Sequence, residues 1–193
     1  MEAFLVSTGV VGVAEIGDKT QLLALVLATR YRAPLPIIAG ILIATIANHA
    51  LAATAGIIVA DILGPDMLRK ALGVSFLAMA VWIMIPDKVD DEETRPPGRF
   101  GPFLATLIVF FLVEIGDKTQ IATIALSARF DALVAVTAGT TLGMMLANIP
   151  VVLIGKAAAT KIPMQAAHAI AALIFAAMGV MALLNVGNLF GWS

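Results

Sequence analysis

Cysteine is absent from the 193-residue chain, which excludes a disulfide framework and any thiolate metal site. Histidine occurs only twice, and this scarcity argues against zinc or copper chemistry. Charge is thin as well: Asp, Glu, Lys and Arg make up 13% of residues, about half the share of an ordinary soluble domain. A formal net charge of −1 points to neither nucleic acid nor an anionic surface as a partner. No nucleophile–base arrangement and no soluble substrate-binding domain is visible, so an enzyme is not expected, nor a resident cofactor. The first residues, Met1-Glu2-Ala3-Phe4, lack the basic region of a signal peptide and read as the start of a helix.

What the chain has is apolar length. Hydrophobic residues make up 61% of it, and the mean hydropathy is +1.01. Six runs are long enough to be helices crossing about 30 Å of hydrocarbon: about 4–28, 36–60, 67–85, 102–128, 132–155 and 163–189. Asp66, after Gly64-Pro65, is the expected N-cap of the third. The aqueous stretch 86–101 carries Asp90-Asp91-Glu92-Glu93 and Arg95-Pro96-Pro97-Gly98-Arg99, a solvated loop.

Two of these apolar runs hold the same knot of charge. Glu15-Ile16-Gly17-Asp18-Lys19-Thr20-Gln21 returns, letter for letter, as Glu114-Ile115-Gly116-Asp117-Lys118-Thr119-Gln120, 99 residues later. Ionisable groups at membrane depth cost about 2.5–3.5 kcal/mol each and are functional candidates by default. At the same offset of 99, Arg30 matches Arg129, Gly40 matches Gly139 and Phe76 matches Phe175; Asn48 matches Asn148 after one inserted residue. The repeating unit is therefore three helices, and an odd number of spans inverts the second copy. The expected fold is a single all-α integral membrane domain over 1–193, with six transmembrane helices as two inverted repeats. Repeat one covers 1–85 and repeat two 102–193, joined by the acidic loop 86–101. Lys and Arg in the loops number seven on the side of that loop and three on the other, which places it in the cytoplasm and both termini outside.

On a continuous helix, Glu15 and Asp18 share one face, and Gln21 extends it. Glu114, Asp117 and Gln120 do the same, so the two knots offer six oxygen-bearing side chains, the donor type that hard divalent cations take. Gly17 and Gly116 permit close backbone approach or a local break. Four carboxylates and two ammoniums, Lys19 and Lys118, sum to −2, the charge that one divalent ion neutralises. Asn48 and Asn148, on small-residue stripes that include Gly40, Ala44 and Gly56 or Gly139 and Gly143, either join the ligands or serve as hydrogen bonds between helices. Thr20 and Thr119 are expected to bond back to their own helix. His49 reads as a satisfied interior histidine, and Met144 and Met145 as core filler or a soft sulfur ligand.

These residues point to a secondary active transporter in which a divalent cation and protons compete for the same oxygens. A proton-coupled exporter of a small cationic solute such as an amino acid, and a passive cation channel, are the other readings. The knots as mere interhelical salt bridges are the bland alternative. A homo-oligomer is compatible with all of them.

The paired Glu-x-Gly-Asp-Lys-Thr signature, in a six-span chain with a central acidic loop, resembles the Gdt-type cation/proton exchangers. That family includes Golgi and thylakoid manganese–calcium transporters and bacterial manganese exporters. The resemblance covers essentially the whole chain and implies Mn²⁺ or Ca²⁺ moved against H⁺. It implies Glu15, Asp18, Glu114 and Asp117 as the cation-binding acids, with Lys19, Thr20, Lys118 and Thr119 completing each motif. The short N-terminus fits a bacterial plasma-membrane member, with the lipid bilayer and the cation as partners.

Overall fold

The computed structural model describes residues 1–85, 100–155 and 164–185, and among these every regular element is a helix. In chain order they are α1 (Glu2–Ala14), α2 (Lys19–Tyr31), α3 (Pro34–Trp82), α4 (Pro102–Glu114), α5 (Lys118–Phe130), α6 (Leu133–Ile154) and α7 (Met164–Leu183). Three of these helices, α3, α6 and α7, are long and apolar enough to cross a membrane. Most of the acidic loop, Lys156 to Pro163 and Trp192 lie outside the described residues.

The largest departure from the expected spans is at the motifs. The runs 4–28 and 102–128 are not continuous helices: each is two 13-residue helices end to end, α1 with α2 and α4 with α5. Gly17 and Gly116 are the cause, with φ of 84° and 79°, backbone that helix-forming L residues avoid. Asp18 and Asp117 follow at φ −75° and ψ 165° as the N-caps of α2 and α5. Each 13-residue piece is only about 20 Å long, so neither alone matches the hydrocarbon thickness.

A second departure lies in α3, where two expected spans run together. Only Gly64 leaves the helical region (φ 67°, ψ 168°), and Pro65 follows at the start of the next leg, where its missing N–H costs no hydrogen bond. Asp66 is not the cap. It sits inside the helical run, 4.0 Å from Arg69 and almost fully exposed.

Local geometry repeats at the sequence offset. α2 ends on Arg32 (φ 49°, ψ 33°) and α5 on Asp131 (φ 47°, ψ 42°), both left-handed, before α3 and α6 begin at Pro34 and Leu133. Packing repeats too, with the partners exchanged between halves. A Cβ on Gly40 of α3 would fall 2.8 Å from the Phe103 carbonyl of α4, and one on Gly139 of α6 would fall 2.5 Å from the Phe4 carbonyl of α1. Phe103 and Phe4 are themselves 99 residues apart, so each half seats its first helix on the other half's stripe of small residues. Phe76 and Phe175, equivalent by the same offset, pack on each other with ring centroids 6.1 Å apart where the halves meet.

Candidate functional site

Each motif occupies the junction of two half-length helices, and the side chains on either side hold that junction open. Glu15 is the C-cap of α1 and Glu114 the last residue of α4. The Gly17 N–H, freed by the break, donates to Gln21 Oε1 at 3.0 Å, and the Gly116 N–H donates to Gln120 Oε1 at 2.7 Å. Asp18 Oδ2 accepts from the Thr20 N–H at 3.4 Å, an N-cap bond. The stripe of Glu, Asp and Gln expected along one continuous helix face is therefore not what the motif builds.

The threonines also act differently from expectation. Thr20 Oγ1 donates to Glu15 Oε2 at 2.6 Å, and Thr119 Oγ1 donates to Glu114 Oε2 at 3.2 Å. Both threonines stand in the first turn of a new helix, where no carbonyl four residues back belongs to the same helix. Their hydroxyls orient the glutamates instead.

Three of the expected acids come together across the halves. Glu15, Glu114 and Asp117 each offer a carboxylate oxygen within 4.8 Å of the other two. All three are buried, Glu15 and Glu114 completely. Glu15 Oε1 and Glu114 Oε1 have no hydrogen-bond partner among the described residues. Desolvated anions of one sign at this spacing repel unless positive charge joins them. Part of it is in place: Lys19 Nζ lies 3.4 Å from Asp117 Oδ1. Lys118, from the second copy, donates to the Ile85 carbonyl at 3.1 Å. An all-oxygen set with two unpartnered buried oxygens suits a hard divalent cation such as Ca²⁺, Mg²⁺ or Mn²⁺.

The remaining expected ligands make hydrogen bonds of their own. Gln21 and Gln120 spend their side-chain oxygens on the glycine N–H groups, and Gln21 Nε2 reaches the Ala147 carbonyl at 3.0 Å. Asn48 donates to the Phe111 carbonyl at 2.9 Å and accepts from Gln120 Nε2 at 3.4 Å, a tie between α3, α4 and α5. Asn148 Nδ2 donates to the carbonyl and the sulfur of Met144, both at 3.1 Å, while its buried Oδ1 has no partner among the described residues. His49 is interior as expected but not satisfied: neither ring nitrogen has a partner there. Two features had no signal in the residue pattern: the backbone carbonyls that receive Lys118 and Gln21, and a groove of about 320 Å³ lined by Gly9, Gly12, Gln21 and Pro150, among others.

The breaks make a sharp prediction. A Cβ added at Gly116 meets no atom within 4 Å, so any effect of substitution there acts through the backbone. A left-handed conformation costs an L residue about 1–2 kcal/mol, more for a β-branched one, whereas Asn tolerates it. Gly116→Val is expected to lose most cation flux and Gly116→Asn to retain the larger share, as measured in reconstituted vesicles. Equal losses in both would rule out backbone conformation as the reason.

The model of the divalent cation/proton antiporter GDT1 family matches residues 3–91 and 102–188, covering both motifs and nearly all of the chain. The chain belongs to the GDT1 family. Like its family, it is a membrane transporter, and both charged motifs lie within the residues matched to these cation antiporters. Among GDT1 relatives, a candidate manganese exporter of Vibrio cholerae is 57% identical over 181 residues, 93% of this chain and 90% of that protein. GDT1-like protein 5 of Arabidopsis thaliana is 26% identical over 96% of each chain. A GDT1-like protein of Synechocystis is 27% identical over 91% of this chain and 93% of its own length. No solved structure matches.

Proposed function

We propose that this chain exports Mn²⁺, with Ca²⁺ as a second substrate, in exchange for H⁺ across a bacterial inner membrane. The observation that carries the reading is the meeting of Glu15, Glu114 and Asp117, acids from motifs 99 residues apart, as buried oxygens within 4.8 Å of one another. Asp18, the fourth acid of the two motifs, caps α2 and accepts from the Thr20 N–H. Gln21 and Gln120 hold the two breaks open, Thr20 and Thr119 aim the glutamates, and Asn48 fixes α4 and α5 against α3. Carboxylates must be deprotonated to bind a metal, so metal and protons compete for the same oxygens, and release of one admits the other. The name of the Vibrio cholerae relative favours manganese as the cargo.

In this reading the chain crosses the membrane six times. The pairs α1–α2 and α4–α5 each make one broken span, α3 makes two legs about Gly64, and α6 and α7 complete the set. Repeats 1–85 and 102–193 are then inverted, with both termini outside and 86–101 in the cytoplasm. The exchanged packing of Gly40 and Gly139 and the contact of Phe76 with Phe175 support an in-plane pseudo-twofold axis. Rocking of one repeat against the other would expose the acids to each side in turn.

Purified protein in proteoliposomes tests the coupling. Vesicles that are acidic inside are expected to take up external Mn²⁺ several-fold faster than vesicles without a pH gradient, with proton release alongside. Mn²⁺ flux indifferent to the gradient would replace exchange with passive conduction.

A further inference from the structure

We infer that Lys19 is a tethered cation that shares Asp117 with the transported ion, bound there between ions and displaced when a metal arrives. The inference rests on the exchange reading above and adds to it an affinity-setting residue. Asp117 faces two demands at once. One of its oxygens lies 3.4 Å from Lys19 Nζ, and its carboxylate is also a member of the three-acid cluster with Glu15 and Glu114. A divalent cation bound by that cluster and an ammonium on the same carboxylate repel each other across a poorly screened, water-poor site. Only one of them can hold Asp117 at full strength.

The two lysines of the repeated motif differ in burial. Lys118 is 3% exposed and its ammonium is bonded to the Ile85 carbonyl, near the C-terminal end of α3. Lys19 is 20% exposed, and its ammonium sits at the end of a flexible four-carbon stem. It is also the first residue of α2, directly after the break, so its backbone is anchored beside the cluster. The pairing crosses the halves, from a motif in the first to an acid in the second. Displacement of Lys19 by a metal therefore removes one tie between the two repeats at the moment of binding, and its return after release restores it.

The consequence is measurable: Lys19 weakens metal binding and speeds release. Lys19→Gln is expected to bind Mn²⁺ about tenfold more tightly, the low end of what close charge pairs contribute. Its apparent KM falls with it, and turnover falls because release becomes slow. Lys19→Arg, which keeps the charge, is expected to return affinity toward that of the unmodified chain. Unchanged or weaker Mn²⁺ binding in folded Lys19→Gln would overturn the inference and leave Lys19 a structural ion pair.

A second measurement needs no variant. Amine-reactive labelling of Lys19 in the native chain, read by mass spectrometry, is expected to rise several-fold on saturation with Mn²⁺. Labelling that stays level or falls would equally overturn it. Failure of the exchange reading looks different: Mn²⁺ flux through the native chain would be indifferent to a pH gradient, whatever Lys19→Gln does to affinity.

Discussion

Glu15→Gln and Glu114→Gln are each expected to reduce Mn²⁺ exchange by at least about 100-fold while the purified protein stays folded. Groups that only support a metal ligand typically account for 10–100-fold in affinity, so a direct ligand should reach the upper figure or pass it. Glutamine keeps the shape, and its amide oxygen still accepts from Thr20 or Thr119, as Oε2 of each glutamate does now. What it removes is one negative charge and one of the unpartnered buried oxygens. Thermal stability should hold or rise, since taking a charge out of a crowded, desolvated cluster relieves repulsion. Binding, flux and melting temperature measured on one preparation separate these effects. Undiminished flux in both variants would remove the acids from the transport cycle.

Gly56→Leu is expected to give the largest loss of stability of any single substitution in the small-residue stripes. A Cβ at Gly56 alone would lie 2.3 Å from the Ile124 carbonyl and 3.0 Å from the Ala128 nitrogen, both backbone atoms of α5 that cannot rotate aside. Nearby, Ser127 Oγ donates to the Ala53 carbonyl at 2.8 Å, so parting the helices breaks a buried hydrogen bond as well. Overpacking of this kind costs about 1–3 kcal/mol or more. For a chain of this size that is a fall of roughly 2–12 °C in melting temperature. Gly9→Ala is the control, because nothing lies within 4 Å of the added carbon. Gly9 lies within α1, so this change should hold stability or raise it by up to about 1 kcal/mol, because alanine is the better helix former. Equal melting temperatures for the two variants would mean that α3 and α5 do not pack as described.

The sequence showed much of the site but little of its backbone. Residues 99 apart could be paired on letters alone, and three of the four acids that this pairing nominated do meet. The interruption of α1–α2 and α4–α5 was harder to foresee. Apolar periodicity reports which residues prefer lipid, and a lone glycine permits a positive φ without requiring one. Gly17 and Gly116 were therefore open to either reading, and the continuous-helix choice put Gln21 and Gln120 beside the acids rather than on the glycine N–H groups. The same limit hid the roles of Thr20 and Thr119, whose acceptors depend on where the new helix starts. A buried histidine is expected to be satisfied because buried polar groups usually are, yet among the described residues neither ring nitrogen of His49 has a partner.

The paired interruptions have an electrical consequence. Four helix ends meet the acids: the C-terminal ends of α1 and α4, carrying Glu15 and Glu114, and the N-terminal ends of α2 and α5, capped by Asp18 and Asp117. Each end bears roughly half an elementary charge, negative at the two C-termini and positive at the two N-termini, so the peptide dipoles cancel in sum. The backbone thus lends direction to the field without altering its total. Valence is left to the side chains: with four acids ionised and two lysines charged the motifs sum to −2, which a divalent guest would offset in the proposed exchange.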